Sequence, residues 1–164
     1  MATAAKSDDF SLGEGDGATE INLPTDNGGH INSAELKGEK NIVVYFYPKD
    51  DTPGCTAEAK DFRDHLGAFD AADTVIIGIS KDSVASHDKF KNKHELNFHL
   101  ASDEDGDVCE RFGVWVEKNM YGKKYMGIQR ATFLISKDGS IAKAWPKVKV
   151  LGHVEEVLEA ARSL

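Results

Sequence analysis

The sequence predicts an α/β fold: a mixed central β-sheet with helices on both faces and a β extension at its N-terminal end. Three observations carry this reading. "NIVVYFY" (41–47) is a nearly continuous apolar run, as expected of a strand covered on both faces. "DTVIIGIS" (73–80) is a second such run, separated from the first by an amphipathic helical stretch. "QRATFLI" and "SIAKAW" flank an Asp138-Gly139 turn and read as a hairpin, closed by Pro146.

The elements follow in order. Residues 1–20 are small, acidic and Gly-rich and predict a flexible arm, leaving 21–164 as one domain. "TEINLP" reads as a short strand, "TDNGGH" as a turn, and "NSAELKG" as one helical turn capped by Ser33 and stopped at Gly38. After the first central strand, Ala59, Phe62, Leu66 and Phe69 recur at helical spacing and predict a helix over Thr56 to Phe69. The second central strand is followed by a polar helix, about Asp82 to Leu96, with Val84, His87 and Phe90 on one side. "NFHLAS" reads as a short strand and "DEDGDVCERFG" as a short helix ending at Gly113. Val154, Val157, Leu158 and Ala161 mark a terminal amphipathic helix. Strand–helix–strand–helix followed by a hairpin and a helix is the order of a thioredoxin-like domain with an N-terminal addition. In such a sheet, ligands gather beyond the carboxyl ends of the parallel strands.

Composition narrows the function. The 164 residues suit one domain with a sizeable core. A net charge of -8 with scattered Lys and Arg argues against nucleic acid as a partner. No apolar run approaches the roughly 20 residues of a membrane span, and residues 1–20 lack a secretory pattern. A soluble, cytoplasmic protein without membrane partners is expected. Two cysteines do not make a disulfide framework and fit a reducing compartment.

One of them, Cys55, lies in Thr52-Pro53-Gly54-Cys55, between an apolar strand and a helix. A free thiol has a pKa near about 8.5, and only its thiolate is nucleophilic. The first turn of a helix supplies unpaired N–H groups and the positive end of the dipole, and an arginine would add a permanent cation. Arg63 and Arg130 are the candidates. Thr52 can turn its hydroxyl toward a site shared with the Cys55 amide, while Pro48 and Pro53 restrict the loop. The structural alternative is that Cys55 is only a small residue at a helix start.

The segment "YFYPKDDTPGCTAEAKDFRD" resembles the active-site segment of peroxiredoxins, with Pro48, Thr52 and Cys55 filling the pattern P-x-x-x-T-x-x-C. "GVWVEKNMYGKKYMGIQRATFLISKDGSIAKAWPKVKVLGHVEEVLEA" is similar to the bacterioferritin comigratory protein, or peroxiredoxin Q, subgroup. The resemblance runs from about Asn22 over nearly the whole chain. It implies a thioredoxin fold and a thiol-dependent peroxidase for hydrogen peroxide and organic hydroperoxides, with Cys55 attacking the peroxide and becoming a sulfenic acid. It also implies that Thr52 hydrogen-bonds the peroxide, that Pro48 shields the thiolate, and that Arg130 lowers the thiol pKa and stabilises the breaking O–O bond. Gly54 belongs to the same turn. Glu58 matches a family position, often acidic or amide, and reads either as a residue that orients an arginine or as a solvated first-turn acid; Arg63 matches a recurring family arginine and reads alternatively as a surface ion-pair partner on its helix. The subgroup resemblance suggests a monomer.

The pattern departs where the subgroup carries its resolving cysteine. Five residues after Cys55 stands Lys60, and the 82–96 helix has no cysteine either. Cys109 remains, as a buried helix residue or as a resolving thiol that would need Cα atoms within about 7 Å. Without it the sulfenic acid requires an external thiol: thioredoxin, a glutaredoxin or glutathione. A thioredoxin-like oxidoreductase would want C-x-x-C, and Thr52 stands in place of the first thiol. A cysteine phosphatase would want an arginine where Asp61 stands. His87, His94 and His99 form no metal motif, so neither a metal nor another cofactor is expected. Tyr45, Phe46, Tyr47 and Trp145 read as core, and "EKNMYGKKYMG" as a mobile flap or a docking surface.

Overall fold

The computed structural model describes residues 12–164. Its centre is a five-stranded mixed sheet in the order β5-β4-β3-β8-β9, with β3 Asn41–Phe46, β4 Thr74–Ser80, β5 His99–Ser102, β8 Ala131–Ile135 and β9 Ile141–Trp145. β3, β4 and β5 run parallel, while β8 and β9 are antiparallel additions. All six residues of β3 are buried, which is why its sequence does not alternate.

Two apolar layers cover the sheet. Val43, Tyr45 and Tyr47 point into one, beneath helices α2 (Pro53–Asp64), α3 (Leu66–Ala71) and α6 (His153–Arg162), with Phe90 of α4 (Val84–His94) at its edge. Ile42, Val44 and Phe46 point into the other, against the β1–β2 hairpin (Asn22–Pro24, His30–Asn32), the helical turn α1 (Ser33–Leu36) and α5 (Val108–Arg111). Phe46, Phe112 and Phe133 cluster in this second layer, and burying each such ring is worth about 1.5–3 kcal/mol.

Several local expectations change. The helix expected over 56–69 begins at Pro53, since proline at N1 forfeits a donor that has no partner there, and it breaks at His65 into α2 and α3. The cap of α1 is Asn32, which accepts from the Ala34 amide; Ser33 instead accepts from the Ile21 amide. "EKNMYGKKYMG" lies within a regular hairpin of β6 (Trp115–Met120) and β7 (Lys123–Ile128). Its two-residue turn, Tyr121-Gly122, has φ of 54° and 81°, the double positive φ of a twist-matched hairpin turn. Of the expected flexible arm, residues 1–11 lie outside the described residues. Residues 13–18 are laced to the β8–β9 turn by Gly15 N–H to Ile141 O, Ile141 N–H to Asp16 O and Ala18 N–H to Gly139 O. Among the described residues no helix is long and apolar enough to cross a membrane.

Candidate active site

The parallel strand β3 ends at Phe46, and the chain passes through Tyr47 and Pro48 into the loop that starts α2. Thr52 is the N-cap residue, with extended backbone, and its carbonyl accepts the first helical bond from Thr56. Cys55 therefore occupies the third helical position, where the backbone N–H has no carbonyl one turn back to pair with. The thiol is free and only 1% exposed. It belongs to the Tyr45–Tyr47–Phe62 layer, at the carboxyl end of β3, where this type of sheet gathers its chemistry.

Arg130 arrives from the other half of the chain. The β3–β8 register pairs Phe46 with Ala131, so the residue just before β8 stands across from the start of the Cys55 loop. Its Nη2 donates to Cys55 Sγ at 3.3 Å and its Nη1 to Glu58 Oε1 at 2.7 Å. Glu58 lies one helical turn beyond the thiol and is fully buried. A Cβ on Gly54 would come within 3.1 Å of Arg130 Nη2, so the glycine leaves room for the guanidinium to reach the sulfur.

The electrostatics are unequal. Burial pushes Glu58 up to about 7 despite the opposing charge of Arg130, and its second oxygen, Oε2, has no hydrogen-bond partner. Arg130 is partly desolvated, yet Glu58 and Cys55 together hold it above its ordinary value. It stays cationic throughout. Thr52 Oγ1 donates to the Lys49 carbonyl at 2.9 Å, which spends its proton and leaves its lone pairs for an incoming O–H. Pro48 is exposed at the rim of the loop.

Arg63 goes elsewhere. It lies at the far end of α2, where Nε meets Asp64 and Nη1 donates to the His94 carbonyl at the end of α4. Its place is a tie between two helices, away from the sulfur. Cys109 lies in the second apolar layer, on the opposite face of the sheet from Cys55. Burial and the adjacent Asp103 carboxylate hold its thiol well above the ordinary range. Tyr45, Phe46 and Tyr47 are core, whereas Trp145 is half-buried against His153. Sequence reasoning missed Asp50, which lies inside the loop, is buried, and accepts from Tyr47 Oη at 2.6 Å. Its one signal was an acid in the loop that follows a buried strand.

Residues 15–144 match the AhpC/TSA family model. The chain is 54% identical over 149 residues to a putative peroxiredoxin bcp of Coxiella burnetii, covering 91% of this chain and 98% of that protein. It is 49% identical over 150 residues to peroxiredoxin Bcp of Bacillus subtilis, covering 92% and 95%. Among solved structures, Xanthomonas campestris peroxiredoxin Q superposes with a TM-score of 0.83 at 47% identity, covering 87% of this chain and 90% of that one. A cysteine-to-serine mutant of Xylella fastidiosa PrxQ superposes with a TM-score of 0.87 at 37% identity, covering 93% and 96%.

Proposed function

Since the chain belongs to the AhpC/TSA family and is a peroxiredoxin, a thiol-dependent peroxidase of thioredoxin fold, we propose that Cys55 is its peroxidatic thiol and that it works without a resolving cysteine. The observation that carries this is the Arg130 guanidinium 3.3 Å from Cys55 Sγ at the first turn of α2, with the only other thiol behind the sheet.

In the first step the Cys55 thiolate attacks one oxygen of the hydroperoxide. An S–O bond forms, the O–O bond breaks, and the departing alkoxide or hydroxide takes a proton to leave as alcohol or water. Arg130 faces the sulfur before attack and the negative charge shared between sulfur and the departing oxygen during it, the arrangement in which a fixed donor lowers a barrier. Thr52 Oγ1 accepts the hydroperoxide O–H and the Cys55 amide donates to an oxygen, which together orient the O–O bond. Pro48 forms the rim that limits water, and Gly54 keeps the guanidinium close. Glu58 positions Arg130.

In the second step an external thiol attacks the sulfenic acid, releasing water and leaving a mixed disulfide, and a second thiol restores Cys55. A small thiol such as glutathione, or a glutaredoxin or thioredoxin, fills this role for a monomeric protein in a reducing, cytoplasmic compartment. A Cys55–Cys109 disulfide is disfavoured because the two side chains would have to meet across a fully buried strand.

The test is the intact mass of the reduced protein after one equivalent of hydrogen peroxide in a sulfenic-acid trap. An adduct at Cys55 supports the reading. Loss of two hydrogens without an adduct replaces it with a two-cysteine cycle, and an unchanged mass removes Cys55 from the chemistry.

A further inference from the structure

Helix α4 carries no residue of the mechanism above, yet it holds the loop that presents Cys55. His87, fully buried on α4, places Nδ1 2.7 Å from Asp50 Oδ2 and Nε2 3.0 Å from the Ala101 carbonyl of β5. Both partners offer acceptor oxygens, an arrangement fully satisfied by an imidazolium with a proton on each nitrogen. Asp50 accepts in addition from Tyr47 Oη and from Ser86 Oγ at 2.8 Å, so its carboxylate has three donors. Its own amide donates to Asp82 Oδ2, which Ser80 Oγ also reaches. Both Asp50 oxygens are engaged by these donors.

We propose that the buried Asp50–His87 ion pair is a positioning device that fixes the Pro48–Cys55 loop on helix α4, so that thiol, Thr52 and Arg130 share one geometry. The inference rests on the peroxidatic role assigned to Cys55. It stands on two features of the fold. Asp50 lies five residues before Cys55 in a loop with left-handed backbone at Asp51 (φ 60°), a conformation that needs holding. Asp51 is itself tied to α4, through Lys93 and His94, so consecutive loop residues end on one helix. Of these ties, the Asp50 pair is the one removed from solvent, where losing a partner strands a charge.

The charged or titratable groups facing His87 are Asp50 from the loop, Asp82 from the turn after β4, and Tyr47 from the end of β3. Burial alone would lower His87; the hydrogen bond and charge of Asp50 overcome it and leave the imidazole above its ordinary value. A raised histidine contributes fully below the unfolded pKa, about 6.5, and loses its contribution as pH rises through the folded value. The clamp therefore loosens on the alkaline side.

Three variants and two readouts test it. His87→Ala removes the pair, His87→Asn restores a donor toward Asp50 without the charge, and Lys91→Ala breaks the Lys91–Asp26 pair on the same helix but away from the loop. The readouts are the rate of Cys55 oxidation by hydrogen peroxide and its rate of alkylation by iodoacetamide, mapped by mass and followed against pH on folded protein. His87→Ala is expected to slow oxidation by about ten- to a hundredfold and to change the alkylation profile, with His87→Asn recovering part of the loss. Lys91→Ala is expected to lower thermal stability and leave both rates within about twofold. Wild-type rates and an unchanged pH profile in His87→Ala would overturn the proposal, as would an equal loss in Lys91→Ala. If the wild type does not oxidise at Cys55, the peroxidatic assignment fails by itself, and the alkylation arm still reports whether His87 sets the thiol's surroundings.

Discussion

Cys55 and Cys109 are the same residue at nearly the same burial, 1% and 0% exposed, and the fold prepares them for opposite fates. Equal exposure does not make them alike, because the charge set beside each sulfur differs in sign. Cys55 sits at the start of a twelve-residue helix with the Arg130 guanidinium on its sulfur. Cys109 sits beside the Asp103 carboxylate, which accepts from the Val108 and Cys109 amides and has taken the place a thiolate would need. Beside Cys55 stands a cation, whereas burial and the Asp103 carboxylate push the Cys109 thiol up. The proposed nucleophile and a thiol packed as a small apolar residue thus lie in the two different layers of one sheet.

The comparison breaks most sharply at the nucleophile. Cys55→Ser should abolish peroxide turnover, measured by peroxide loss with excess thiol, and a variant that still turns over would move the chemistry elsewhere. Next in size is the cation. Arg130→Ala should cost about 10²–10³ in the rate of Cys55 oxidation, the usual loss for one donor aimed at developing charge. A smaller loss would mean that the helix start alone activates the sulfur. Glu58 comes third. Glu58→Gln keeps the shape but loses the charge-assisted bond to Arg130, a loss of about 1 kcal/mol or roughly fivefold in rate.

Glu58 also sets a stability slope. Because its folded value is raised to about 7 from 4.5, folding holds on to a proton that the unfolded chain releases. Stability from this group is therefore highest below 4.5 and falls as pH rises toward 7. Urea unfolding across that window should show the fall in the wild type and not in Glu58→Gln. Parallel curves would place the ionisation outside the buried carboxyl.

Much of this was legible in the sequence. β3 and β4 announced themselves because a strand covered on both faces must be apolar throughout, and the Thr-Pro-Gly-Cys loop followed directly from where β3 ends. Arg130 could be nominated but not placed, since it lies 75 residues from Cys55 and only the β3–β8 register brings them together. The β6–β7 hairpin was missed because its turn is Tyr-Gly and its strands are mostly exposed, so neither the usual turn residues nor apolar alternation marks it. For Arg63 the sequence left two places open, beside the thiol or in an ion pair on its own helix, and the structure shows the ion pair with Asp64 and a bond to the end of α4. Asp50 escaped because an isolated acid looks solvated until the tertiary structure buries it, and His87, though set beside Val84 and Phe90 on its helix, gave no sign of its partner.

The smallest expected effect tests the comparison from its other side. Cys109→Ser places a hydroxyl of similar size beside Asp103, where it can donate to the carboxylate in place of the thiol. Stability should move by about 1 kcal/mol or less, and peroxide turnover with external thiol by less than about twofold. The reason is geometric: Cys109 packs among Val108, Phe112 and Phe46 on the face away from the loop, so nothing in the catalytic cycle reaches it while β3 stays in place. A Cys109→Ser variant that reduced one equivalent of peroxide and then stalled would show that the sheet opens during turnover, and the two cysteines would have to be described as partners rather than opposites.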